Sequence, residues 1–195
     1  MLDLEQVPVQ VRHTQGCHPI GPHRQIDEAF RNVLVKLDGI AALDALKQDI
    51  GELLSRNLDR SLATVLAGLM VEGSDTGDYL ARHLVGVDPD RGLVGVGDWV
   101  RQGGSLQFCR RDPEAAQKDL EQMMEQITSG LKQPPRGALY IACVGRGRHM
   151  FGEDGAEMAI IRRYLPDVPL AGFFANGEVY HQRLYGYTGV LTLFT

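Results

Sequence analysis

Short apolar or alternating runs, each closed by Gly, Pro or Asp, set the limits on what this sequence can fold into. Valines at 7, 9 and 11 alternate with polar residues and predict a strand from Val7 to Arg12. The stretch from His13 to His23, rich in His, Gly and Pro, predicts a loop. Asn32 to Leu37 predicts a second strand, closed by an Asp38-Gly39 turn. Ala63 to Val71 is nearly all apolar and suits a strand buried on both faces, followed by a polar acidic loop, Glu72 to Asp78. Tyr79 to Val87 and Leu93 to Val100 flank Asp88-Pro89-Asp90-Arg91-Gly92, the signature of a hairpin. Further strands are predicted over Ser105 to Arg110, Ala138 to Val144, Pro169 to Phe174 and Gly189 to Phe194.

Helical spacing interrupts this pattern in three places. Leu43, Leu46, Ile50 and Leu53 recur every three or four residues and predict a helix from about Ile40 to Leu54. Pro113 to Lys132 carries the stripe Ala116, Leu120, Met123, Ile127 and Leu131. Asp112 can cap that helix, Pro113 suits its first turn, and Gly130 with Pro134-Pro135 ends it. A third helix is expected from about Gly155 to Leu165. Hairpins mixed with isolated helices predict an α+β fold, a largely antiparallel mixed sheet with packed helices. No repeat or linker divides the chain, so residues 1–195 are expected to form a single domain.

The net charge of -5 comes with no basic cluster, which argues against a groove that tracks nucleic-acid phosphates. Cys17, Cys109 and Cys143 are too few, and odd in number, for a secreted disulfide framework. Met1 to Glu5 lack the basic start and apolar run of a signal peptide, and no stretch approaches the ~20 apolar residues of a membrane span. A cytoplasmic protein with no membrane partner is expected.

Two groups of segments carry more than periodicity. Gln15-Gly16-Cys17-His18-Pro19-Ile20-Gly21-Pro22 resembles the opening motif of the FIST C-terminal domain. Gly137-Ala138-Leu139-Tyr140-Ile141-Ala142-Cys143-Val144-Gly145-Arg146-Gly147-Arg148 resembles its late strand and loop. Phe151-Gly152, the stretch from Val168 to Glu178, the ending from Gly186 to Phe194, and Leu37-Asp38-Gly39 with Ala41-Ala42-Leu43 are similar to other parts of that family. The resemblance implies a sensory, ligand-binding module of intracellular signalling, with amino acids or similar small molecules as ligands. It also implies a FIST N-terminal domain or a signalling protein as partner; that N-terminal domain usually precedes this one and is expected to be absent here. One departure stands out: His18 follows Cys17 where the family usually has Arg. An anion contact made there would become pH-dependent or disappear.

The residues themselves leave two readings at each position. Gly145 and Gly147 let backbone N–H groups approach a ligand, and Arg146, Arg148 and His149 add positive charge suited to a carboxylate. The alternative is a tight turn with solvated arginines. Asn176, Gly177 and Glu178 offer polar groups and a carboxylate for an ammonium, or else an ordinary Asn-Gly turn. His13, Cys17, His18 and His23 fit no zinc spacing, so no metal or other cofactor is expected. Cys143 near arginines could be a nucleophile, yet a Cys ending an apolar strand is more often packed. The chain is therefore not expected to be an enzyme. The ligand-binding set is Gln15, Gly16, Cys17, Pro19, Gly21, Cys143, Gly145, Arg146, Gly147, His149, Gly172, Asn176, Gly177 and Glu178. Alanine at Arg146 is expected to weaken binding and leave the fold intact. The alternative functions are an interaction scaffold, as in the F-box-linked eukaryotic relatives, and a Cys-dependent enzyme.

Overall fold

Strand pairing in the computed structural model, which describes residues 7–55, 62–73 and 78–195, follows most of the runs read above. The described residues of Met1–Gly16 and Asp112–Thr195 make one compact unit, and Cys17–Arg111 makes another.

The first unit begins with β1 (Val9–Gln15) and resumes at Asp112. Asp112 Oδ1 accepts the Ala115 N–H at 2.9 Å and caps α2 (Pro113–Ser129), whose first turn loses nothing by the missing N–H of Pro113. Ala116, Leu120, Met123, Met124 and Ile127 form its buried stripe. Next come β9 (Gly137–Cys143), the short α3 (Gly147–Phe151), α4 (Ala156–Tyr164) and β10 (Leu170–Ala175). β10 runs parallel to β9, with Leu170 opposite Ala138, so the two helices lie on the crossover between them. β13 (Thr188–Phe194) pairs antiparallel with β9 and with β1, giving the order β1-β13-β9-β10. Ala138, Tyr140, Ala142, Leu191 and Leu193 share one sheet face and join the α2 stripe and Ile160 and Ile161 of α4 in a core. β11 (Glu178–Tyr180) and β12 (Arg183–Tyr185) form a separate hairpin.

The second unit contains β2 (Cys17–Phe30), β3 (Val33–Leu37), β4 (Ile40–Ala41), α1 (Ala42–Ser55), β5 (Val65–Met70), β6 (Tyr79–Asp88), β7 (Leu93–Val96) and β8 (Ser105–Arg111). Its strands run β2-β8-β5-β6-β7-β3, and β3 pairs back with β2, so the order closes on itself. α1 contributes Ala42, Leu43, Ala45, Leu46 and Ile50 to a core shared with Leu34, Val94, Leu106 and Phe108. The expected hairpin is present, with the Arg91 N–H held by Asp88 Oδ1 at 3.1 Å.

Antiparallel pairing throughout, except between β9 and β10, makes this an α+β fold. The loop expected from His13 to His23 is instead strand on β1 and β2. Cys17, His18 and Pro19 pair with Arg111, Arg110 and Cys109; a shift in register before His23 absorbs Gly21 and Pro22. The expected Gly-rich turn after β9 tightens into α3. Met1 to Glu5, and Ser74 to Gly77 of the acidic loop, lie outside the described residues. Among the described residues no helix is long and apolar enough to cross a membrane.

Candidate functional site

The first unit holds a set of buried charges close to the end of β9. The chain turns as the Arg146 N–H bonds the Cys143 carbonyl at 2.8 Å, which sends the Arg146 side chain inward. That guanidinium is 0% exposed. Its Nε donates to Glu157 Oε1 at 2.8 Å, and Nη1 donates to the Tyr187 carbonyl at 3.3 Å. The Tyr140 hydroxyl donates to the same Glu157 Oε1 at 2.6 Å. The Phe151 ring lies 5.4 Å from the guanidinium carbon, within cation–π range. Nη2 is buried and has no hydrogen-bond partner among the described residues. Burial alone would lower the Arg146 pKa, but the Tyr140 and Glu157 oxygens outweigh it and hold the group above its ordinary value. Burial pushes the Tyr140 hydroxyl up.

Glu178 is the second buried charge of this unit. The Thr188 hydroxyl donates to its Oε2 at 2.6 Å, whereas Oε1 is buried and without a partner among the described residues. Burial raises the Glu178 pKa, opposed by Thr188, by the Gly177 N–H and by the charge of Arg146. Arg146 and Glu178 therefore feel each other, although no ion pair joins them among the described residues. A third carboxylate, Asp119 of α2, accepts the Thr14 hydroxyl at 2.5 Å and the Gln15 N–H at 2.7 Å.

Several residues singled out in the sequence meet here. Gly16 leaves room for the guanidinium: a Cβ there would lie 3.0 Å from Arg146 Nη1 and 3.2 Å from the Tyr187 carbonyl. A Cβ on Gly145 would meet the Tyr187 ring at 2.9 Å, and one on Gly147 the Phe174 ring at 3.1 Å. These two glycines admit aromatic rings. On Gly172 a Cβ would overlap the Tyr140 carbonyl on the neighbouring strand. Gly177 has φ 117°, so the Asn-Gly turn reading describes its backbone, while Glu178 beside it is buried. Cys143 is buried, whereas Asn176, Arg148 and His149 are exposed and stand apart from the interior charges.

Cys17, Pro19 and Gly21 belong to the second unit. Cys17 is buried next to Cys109, and the hydrogen bond between the two thiols, then burial, pushes the Cys109 thiol up. Pro19 is exposed on β2. Gly21 lets Asp49 approach, since a Cβ there would collide with its carboxylate, and Asp49 holds the buried Arg24. This trio has structural work within its own unit.

Solvated arginines do not describe Arg146, and the expectation that its alanine variant keeps the fold is revised. Truncation would leave Glu157 buried without its cation, a change of about 3–5 kcal/mol. The sequence reading missed Tyr140, Glu157, Tyr187 and Thr188 as members of the network. One signal was available for Glu157: it shares the buried side of α4 with Ile160 and Ile161, three and four residues on. A carboxylate in an apolar stripe calls for a partner.

An uncharacterised protein of Mycobacterium tuberculosis is 39% identical over 192 residues, covering 93% of this chain and 49% of the relative. An uncharacterised protein of Mycobacterium bovis is 35% identical over 191 residues, with the same two coverages of 93% and 49%. The chain thus spans about half the length of the relatives it matches. The FIST C domain profile matches residues 42–181, which run from α1 to the β11–β12 hairpin. With most of its length inside that match, the chain belongs to the FIST C domain family.

Proposed function

We propose that this chain is a cytoplasmic small-ligand sensing module of intracellular signal transduction, with an amino acid or another small carboxylate as its ligand. The observation that carries this reading is the pair of buried, opposite charges that each keep one atom unbonded, Arg146 Nη2 and Glu178 Oε1. A guanidinium N–H suits a ligand carboxylate and a carboxylate oxygen suits a ligand ammonium. Leaving either atom unpaired in the interior costs free energy that a bound ligand would recover. Family membership supports the sensory role, and a FIST N-terminal domain or a signalling protein would receive the output.

A thermal-shift screen of the chain against amino acids, small carboxylates and phosphates tests the reading. A ligand at 100 times its Kd adds about 2.7 kcal/mol of stability. Arg146→Lys keeps the charge and loses the planar fork, so the shift should shrink; Glu178→Gln should discriminate against ligands that carry an amine. No shift from any amino acid or carboxylate, or a shift unchanged in both variants, would overturn the assignment.

A second reading, partner binding, has its own support in exposed apolar side chains. Val144, Phe173, Phe174, Val179 and Leu184 of the first unit are all more than half exposed. A pulldown that survives both substitutions would favour it.

A further inference from the structure

Behind Glu157, in the same unit, a cavity of about 170 Å³ lies among β9, β10, α3 and the first turn of α4. Its wall includes the rings of Tyr140, Phe151 and Phe174 and the thioether of Met158. The charged side chains that line it are both acidic, Glu153 and Glu157. Glu157 is 6% exposed. Its Oε1 already accepts from Tyr140 and from Arg146, and among the described residues no hydrogen bond falls on Oε2. Oε2 is not one of the fully buried, unpartnered atoms, so it is open to solvent and its lone pairs can accept from a ligand donor. Aromatic faces carry negative electrostatic potential and so add attraction for a cation. The N-terminal end of α4 would by itself favour an anion, but Glu157, its second residue, already supplies that negative charge.

We propose that this cavity binds a small primary amine bearing one apolar group, its ammonium donating to Glu157 Oε2 and its apolar body packed among Phe151, Phe174 and Met158. The size agrees with one ring plus a short arm, since a cavity of about 150 Å³ lined by apolar side chains accommodates benzene. The site goes beyond the reading above: it rests on this cavity and on Glu157 Oε2, where that reading rests on Arg146 Nη2 and Glu178 Oε1. The two are linked through one residue, because Glu157 is the partner that anchors Arg146. An amine bound here would therefore act on the same buried guanidinium from its other side.

Titration of the whole chain at pH 7 with benzylamine, toluene and benzoate, followed by ligand-observed NMR and calorimetry, tests the proposal. Benzylamine should bind about tenfold or more tightly than toluene, as one hydrogen bond to a charged group implies, and benzoate should not compete. Ala156→Leu, which fills the cavity from the first turn of α4, should abolish benzylamine binding while the melting temperature and circular dichroism stay close to wild type. Phe174→Ala, at a ring 58% exposed and so tolerant of truncation, should weaken binding several-fold even if the leucine variant fails to fold. Equal affinity for toluene, preference for benzoate, no binding of benzylamine, or benzylamine binding unchanged in both variants would each overturn it. Benzylamine binding that survives in Glu178→Gln would separate this cavity from the carboxylate site.

Discussion

A carboxylate with a raised pKa, such as Glu178, makes stability depend on pH in a definite direction. Because burial raises its pKa in the folded chain, the folded state holds this proton more tightly than the unfolded state. The contribution is therefore fully present below the unfolded value of about 4.3 and is lost as pH rises through the higher folded value. Glu178→Gln removes the titration and keeps an acceptor for the Thr188 hydroxyl. The melting temperature of the variant relative to wild type should climb as pH rises above about 4.3, then level off once the folded carboxylate has ionised. A difference that stays flat across that range would contradict the assigned burial effect. Both Arg146 and Glu178 stood out in the sequence because each sits beside a glycine turn after a strand. What the sequence could not display was the distance-spanning part: Arg146 to Glu157, Tyr140 to Glu157, and Thr188 to Glu178 are bonds between elements.

Elements announced themselves where local chemistry and tertiary packing agree. α2 is the clearest case, with cap, first-turn proline and apolar stripe all legible in advance. Asp112→Ala should cost about 1 kcal/mol, measured by urea denaturation, because the Ala115 N–H loses its acceptor. A loss near zero would mean that water or another group replaces the cap. β2 is the contrary case. His18, Pro19, Gly21, Pro22 and His23 have the composition of a loop, and their strand character comes from the partner, β8. The β11–β12 hairpin was missed for a related reason: two three-residue strands are too short to show alternation. α3 hid within a glycine-rich segment that reads as a turn, its five residues too few for a stripe.

For the whole molecule, thiol reactivity is the measurement that separates sensing from covalent chemistry. Cys17, Cys109 and Cys143 are all free and all buried. Ellman's reagent on the native chain should label them slowly, with all three thiols becoming available together in denaturant. A single fast thiol at position 143 would favour the nucleophile reading. The α+β class was legible from hairpins mixed with isolated helices, whereas the two separate cores were not, and the chain was expected to form a single domain. The interleaving was not legible either: one unit takes its first strand from before residue 17 and everything else from after residue 111.

That interleaving has a consequence during synthesis. β1 pairs with β13 in a register that places Val9 opposite Phe194. At translation rates of about 5–20 residues per second, β1 would wait roughly ten to forty seconds for its partner to be made. Over that time Val9 and Val11 remain an unclaimed strand on the nascent chain, open to chaperones and to pairing with a neighbouring polypeptide. Emergence of β13 from the ribosome ends that interval, because this one segment joins β1 to β9.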